Sequence, residues 1–342
     1  MSEIIRELSR FSLSLTDQIH LERITARYPF VITDYYASLI KQFDHLDPIY
    51  RQSFPAPEEE LACNASLDPF CEKDKQYVPK LIHRYPNRAV LIVTNICAVH
   101  CRHCMRKRNW QEKPFVITED EIRTAVKYCR DHQISDIILS GGDPFMAPVE
   151  LLDYCIRSFA DSPATQVIRI GTRLPATDPG RITERLASLC SLFPSTYVLT
   201  HFNHPNELTA AAREAVFRLR KAGAVVLNQN VLLKGVNDDQ AILTYLYTTL
   251  LSWGVKPYYL HQCDLVESVT HFWVNPEDGI TLLKKLQGNI SGLALPYYAI
   301  DLPGGKGKIL LGPETTFEKD GETYYFTTYT GERVAYTCRT VI

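Results

Sequence analysis

Cys97, Cys101 and Cys104 lie in one short run, Asn95-Ile-Cys-Ala-Val-His-Cys-Arg-His-Cys-Met105, at C-x3-C-x2-C spacing. Thiolates so spaced can hold three irons of a [4Fe–4S] cube, a cluster that cysteines usually hold in fours. A missing fourth ligand leaves one iron open to a small molecule. Zinc is the other reading, but zinc sites usually take four ligands with a second C-x2-C or H-x3-H pair. His100 and His103 lie inside the run on the same tight loop, where ligation together with their cysteine neighbours is awkward. Disulfides do not suit a chain whose first residues carry charge early and lack a secretory apolar core. The other seven cysteines are scattered, and most read as small buried hydrophobes.

Further candidates follow along the chain. Leu139-Ser140-Gly141-Gly142-Asp143-Pro ends a strand-like run. Paired glycines there let the backbone approach a ligand closely, although many strand-to-helix turns carry them too. Thr200-His201-Phe-Asn203-His204-Pro-Asn206-Glu207 could bind a metal, adenine or a carboxylate. It could equally be a polar loop with Asn206 or Thr209 capping the next helix. Arg84 and Arg88 flank another strand start, and Arg102, Arg106, Lys107 and Arg108 surround the cysteines. Such cations can be a solvated face, can bind carboxylates and phosphates, or can offset a thiolate-ligated cluster. Gly304-Gly-Lys-Gly-Lys308 is a glycine-rich basic loop. It is either a surface turn, a phosphate contact or a lysine for a Schiff base with pyridoxal 5′-phosphate (PLP). Asp264 and Asp301 are strand-end carboxylates that suit a cationic group or a structural pairing.

These residues need elements to hold them. A chain of 342 residues with 45% hydrophobic and 22% charged content is long enough for one large domain with appendages. A net charge of −2 provides no basic field to recruit nucleic acid. No apolar run approaches a membrane span, and the cytoplasm is the expected location. Residues 1–80 read as a helical and irregular cap without chemistry, with helical spacing around Leu8–Leu15 and Tyr35–Phe43. Over 81–290, strand patterns at 89–94, 136–140, 166–171, 196–201, 224–233 and 256–261 alternate with helical ones at 119–132, 149–162, 181–192, 210–222 and 240–253. Six such units predict an α/β fold, a parallel sheet forming an open, partial (β/α)6 barrel with its motifs at the strand C-termini. Over 291–342 a strand leads into the lysine loop, then hairpins over Thr315–Phe317, Thr323–Tyr329 and Val334–Cys338.

Taken in order, the motifs from His83-Arg84 to Lys308-Ile309 resemble the lysine 2,3-aminomutase family, whose members are radical S-adenosylmethionine (SAM) enzymes dependent on PLP. The resemblance implies a radical SAM partial barrel and a [4Fe–4S] cluster on Cys97, Cys101 and Cys104. It places Ser140, Gly141, Gly142, Asp143 and His201 against SAM. Lys308 would carry PLP, with Arg84 and Arg88 near its phosphate and Asn228 and Gln229 lining that side. Arg106 would meet the substrate carboxylate, and Asp264 and Asp301 the distal ammonium of lysine. The implied reaction converts L-lysine to β-lysine, beginning with hydrogen-atom abstraction by a 5′-deoxyadenosyl radical. Arginine is the alternative substrate, whereas a glutamate-specific relative would be expected to lose these negative charges. An electron donor such as flavodoxin or ferredoxin is implied, and a homo-oligomer is allowed. Larger family members carry a C-terminal zinc extension, but this tail offers only Cys338, so no structural zinc is expected. The compact length and His261 are similar to the branch that supplies β-lysine to elongation factor P, while Asp301 is closer to the free-lysine mutases. Both roles stay open.

Overall fold

The computed structural model describes residues 2–13, 15–61, 65–312, 317–328 and 330–338. Its centre is one ten-stranded sheet. The strands are β1 (Gln76–Val78), β2 (Leu81–Tyr85), β3 (Arg88–Thr94), β4 (Asp136–Gly141) and β5 (Val167–Gly171). They continue as β6 (Thr196–Thr200), β7 (Val225–Leu232), β8 (Lys256–Gln262), β9 (Tyr297–Asp301) and β10 (Lys308–Leu311). They lie side by side in chain order. From β3 to β9 every pairing is parallel; β1, β2 and β10 add antiparallel strands at the two ends. The two outermost strands do not pair with each other, so the barrel is open.

The expected six strand–helix units are present, and a seventh parallel strand, β9, extends them. Helices α2 (Glu119–Asp131), α3 (Val149–Ala160), α4 (Ala210–Lys221), α5 (Gln240–Ser252) and α6 (Pro276–Leu286) cover the sheet; α1 (Leu15–Arg27) belongs to the N-terminal region. Local chemistry sets their starts. Thr118 and Glu121 form a reciprocal capping box on α2, and the Asp239 carboxylate accepts from the Ala241 and Ile242 amides at the head of α5. The periodic faces are buried, as with Ile122, Ala125 and Cys129 on α2. Helix α6 escaped the sequence reading because Gly279 interrupts its pattern. There a side chain would overlap the ring of Tyr298 on β9.

Two other expectations change. The helical pattern at Tyr35–Phe43 yields a helix only over Asp34–Ala37. The buried Asp47 carboxylate draws in the amides of Lys41, Gln42, Ile49 and Tyr50 and turns the chain instead. The pattern at 181–192 splits into Glu184–Ser188, capped by Thr183, and a 3-10 turn over Leu189–Leu192. A second, smaller core unites the N-terminal region, including Leu21, Ile24, Phe30 and Phe54, with Val99 of the cysteine loop. The tail forms an antiparallel sheet of β11 (Glu318–Asp320), β12 (Thr323–Thr327) and β13 (Arg333–Thr337). The expected hairpin strand at Thr315 begins outside the described residues, where Cys63 and Tyr329 also fall. Among the described residues no helix is long and apolar enough to cross a membrane.

Candidate active site

The C-terminal ends of the parallel strands converge on a cavity of about 330 Å³. Its wall takes the three cysteines from the loop after β3, Ser140–Asp143 at the end of β4 and just after it, Gly171 of β5 and Arg173 just after it, His201 after β6 and Val231 of β7. His261 of β8, Asp264 and Asp301 complete it. A second cavity of about 590 Å³ runs toward the strand starts, reaching Arg88 and Val90 of β3 and Tyr258 of β8. Arg84, Arg169 and Lys308 line it. Met105, Arg106, Gln229, His261 and Asp301 border both spaces, so the two are neighbours.

The cysteine loop is gripped from two sides. On one, the His100 amide donates to the Val31 carbonyl and the Arg102 amide to the Gln52 carbonyl, both at 2.8 Å. On the other, the Gly142 amide donates to the Thr94 carbonyl at 2.6 Å and the Asp143 amide to the Ile96 carbonyl at 2.9 Å. A side chain at Gly141 would overlap the Thr94 carbonyl, and one at Gly142 the Ile96 carbonyl. Gly141 also has φ of 127°, a conformation that side chains disfavour. The paired glycines are therefore demanded by the cysteine loop itself, in addition to any ligand.

The basic residues of this loop face inward in part and are paired. Arg102 and Lys107 both contact the buried Glu59 carboxylate, at 2.6 and 2.7 Å. Against its burial, they hold that carboxyl at about 2. Arg106 and Arg108 share Glu72 at 2.6 Å, again lowering it to about 2 despite burial. Arg106 also donates to Ser140 Oγ at 3.2 Å. Three of its five N–H groups are thus engaged, leaving two for a ligand. Burial pushes the Cys104 thiol up to about 11 and the Cys97 thiol well above its ordinary value, so without a metal these two stay protonated.

At the far wall Lys308 Nζ contacts the Asp301 carboxylate and lies 3.2 Å from His261 Nδ1. Arg84 reaches the other oxygen of Asp301 at 2.8 Å. Against burial, these two cations hold the Asp301 carboxyl well below the usual range. Burial pushes the His261 imidazole well below its ordinary value, and Lys308 adds to this. Asp264 differs. Burial, then the neighbouring Asp301 charge, raise its carboxyl to about 7. Among the described residues it has no side-chain ion pair.

One expected contact is corrected. Asn228 borders neither cavity. Its amide oxygen accepts from Thr200 and the Phe202 amide, and its nitrogen donates to the Phe202 carbonyl. Successive strand residues face opposite sides, so with Gln229 inward Asn228 must point outward. Every other expected site residue borders a cavity. The sequence reading gave no role to Arg169, Arg173, Glu59 or Glu72. Arg169 lies two residues before Gly171 on the inward face of β5, and that alternation was a usable signal. The glutamates lie in the segment expected to carry no chemistry.

The chain matches the Radical SAM superfamily over residues 91–246. A relative from Aquifex aeolicus, provisionally named an L-lysine 2,3-aminomutase, is 40% identical over 97% of this chain and 91% of its own. The L-lysine 2,3-aminomutase of Methanococcus maripaludis is 36% identical over 94% of this chain and 75% of its own. The chain belongs to the lysine 2,3-aminomutase family. It is an isomerase that uses radical SAM chemistry, and membership in the lysine 2,3-aminomutase family implies a [4Fe–4S] cluster, SAM and PLP as cofactors. A glutamate 2,3-aminomutase from Clostridioides difficile is also similar, at 33% identity over 94% of this chain and 75% of its own.

The residues present fit these groups. Among the described residues no three His, Cys, Asp or Glu side chains close on a single ion. A cube needs no such closure, because each thiolate takes a different iron. Three cysteines border one cavity, and His103 on the same wall has a buried Nδ1 without a partner. The second cavity combines one amine with four arginines, a donor set suited to an aldehyde that carries a phosphate.

Proposed function

We propose that this chain is a lysine 2,3-aminomutase that converts L-lysine to β-lysine. The observation that carries this reading is Asp264, a carboxylate at the cavity wall with no ion-pair partner of its own. A cationic substrate side chain would supply one. When bound, the cluster and SAM supply a carbon-centred radical and PLP supplies a carrier for the migrating nitrogen.

The chain's own residues do the rest. Cys97, Cys101 and Cys104 hold the cluster, and Ser140, Gly141, Gly142, Asp143 and His201 border the SAM space. Lys308 holds PLP, while Arg84, Arg88 and Arg169 receive its phosphate and Gln229 lines the passage. The two unengaged N–H groups of Arg106 take the substrate carboxylate. Asp264 receives the ε-ammonium. Asp301, on the same cavity wall, would join it, since Lys308 Nζ would no longer be free to pair with its oxygen while holding the cofactor. The strand ends exclude water from the space between.

An acidic side chain would place a third negative charge beside Asp264 and Asp301, which disfavours glutamate. Arginine carries the favoured charge but a longer, planar head. The deciding experiment is anaerobic turnover of the reconstituted protein with L-lysine, L-arginine and L-glutamate, read by mass spectrometry and NMR. β-Lysine as the main product is expected. Turnover of glutamate in preference to lysine would overturn the assignment.

A further inference from the structure

Arg173 stands where the N-terminal region meets the cysteine loop, and no role above accounts for its geometry. Its side chain is buried just beyond the end of β5. The Nη2 group is ringed by the Tyr36 hydroxyl at 2.8 Å, Gln52 Oε1 at 2.7 Å and Glu207 Oε1 at 2.7 Å. The Nε group faces the His201 carbonyl at 3.3 Å. A guanidinium is a rigid planar fork, so clamping two nitrogens fixes the third. The third, Nη1, donates to Cys101 Sγ at 2.8 Å.

The clamp is itself braced. Tyr36 donates its hydroxyl to Glu207 at 2.6 Å, and the other oxygen of Glu207 accepts the Asn203 and His204 amides. Gln52 also accepts from Asn203 Nδ2 at 2.9 Å and donates to the Pro48 carbonyl. Beneath, the Asp143 carboxylate takes the backbone amide of Arg173 at 2.7 Å. A salt bridge to Glu207 alone would not need the fork turned toward sulfur.

Hydrogen bonds to ligating sulfur are one of the levers that set the potential of an iron–sulfur cluster. A cationic donor draws charge from the thiolate and so favours the form with one more electron. We propose that Arg173 is a positioning residue that presents a fixed cationic donor to the Cys101 sulfur, making the cluster easier to reduce. Tyr36 and Gln52 hold it there, so the N-terminal region takes part in electron uptake. The inference rests on the cluster assignment and is independent of PLP and of substrate identity.

The test uses full-length protein reconstituted with iron and sulfide, without SAM, PLP or substrate, so that no nucleotide contact contributes. Iron is counted, and the midpoint for uptake of one electron from dithionite is read by electron paramagnetic resonance. Arg173→Gln is expected to keep the wild-type iron count and to shift the reduction equilibrium about tenfold toward the oxidised cluster, which is ~59 mV for a one-electron couple. Tyr36→Phe keeps the guanidinium and loosens one clamp; a smaller shift in the same direction is expected. A loaded Arg173→Gln protein with the wild-type midpoint overturns the proposal. Should that variant not fold, an unchanged midpoint in Tyr36→Phe overturns it instead. Wild-type protein that takes up no cluster would overturn the cluster assignment itself.

Discussion

Around the cysteines, Arg102, Arg106, Lys107 and Arg108 meet Glu59 and Glu72, with Asp68 touching Arg108 at 3.3 Å. Around Lys308, two cations converge on one carboxylate, Asp301, and leave Asp264 alone. Cations are therefore matched by carboxylates where the thiols lie, and among the described residues a carboxylate stands without an ion-pair partner where the amine lies. The unmatched carboxylate is the complement of what that wall would receive, an ammonium. Buried charge is tolerated only when something compensates it, so the uncompensated groups mark where ligands belong.

The largest effect should come from breaking the balance at the cysteine end. Glu59→Gln leaves Arg102 and Lys107 buried without their carboxylate. A loss of about 3–5 kcal/mol of stability is expected, measured by chemical denaturation of the apoprotein. At the other end the same kind of substitution should act on substrate instead. Asp264→Asn is expected to lower kcat/KM for lysine by roughly 30- to 1000-fold, or about 2–4 kcal/mol. It should also stabilise the apoprotein at pH 8.

The pH dependence sharpens the contrast. The Asp264 carboxyl is raised in the fold to about 7, so the folded chain keeps a proton that the unfolded chain has released. Its contribution to stability is present at low pH and is lost as pH rises toward 7. The advantage of Asp264→Asn should therefore shrink as pH falls from 7 toward 4, as thermal melting would show. Glu59 and Glu72 behave in reverse. Both are held at about 2, so their contribution is lost as pH falls from about 4.5 toward that value. The smallest effect serves as a control: Lys319 and Glu277 pair at 2.7 Å on the surface. Lys319→Ala should change stability by no more than about 0.5 kcal/mol in the same denaturation assay.

Much of the site was readable in the sequence because its groups sit at fixed offsets from strand ends. The cysteine spacing, Ser140-Gly-Gly-Asp143, His201, Asp264, Asp301 and Lys308 each follow a recognisable apolar run, and parallel strands in chain order bring such ends together. The failures have two causes. Asn228 was placed inside by the family resemblance, although strand alternation gives that face to its neighbour Gln229. Glu59, Glu72 and the clamp on Arg173 depend on contacts between residues at least 28 positions apart. A glutamate in an irregular segment looks the same whether it is solvated or buried against two cations. Only the packing of the small N-terminal core onto Val99 decides that.

Lys308 lies on the outermost strand, in register opposite Asp301. A slip of one residue would turn the amine to the other face and bring Ile309 opposite that carboxylate. The ion pair is thus also a register pin. In the growing chain the thiols leave the ribosome roughly 200 residues before this amine, a lag of ~10–40 s at the usual rate of synthesis. The cysteine loop can be made and folded early, whereas the second cavity has no amine until its final edge is laid down.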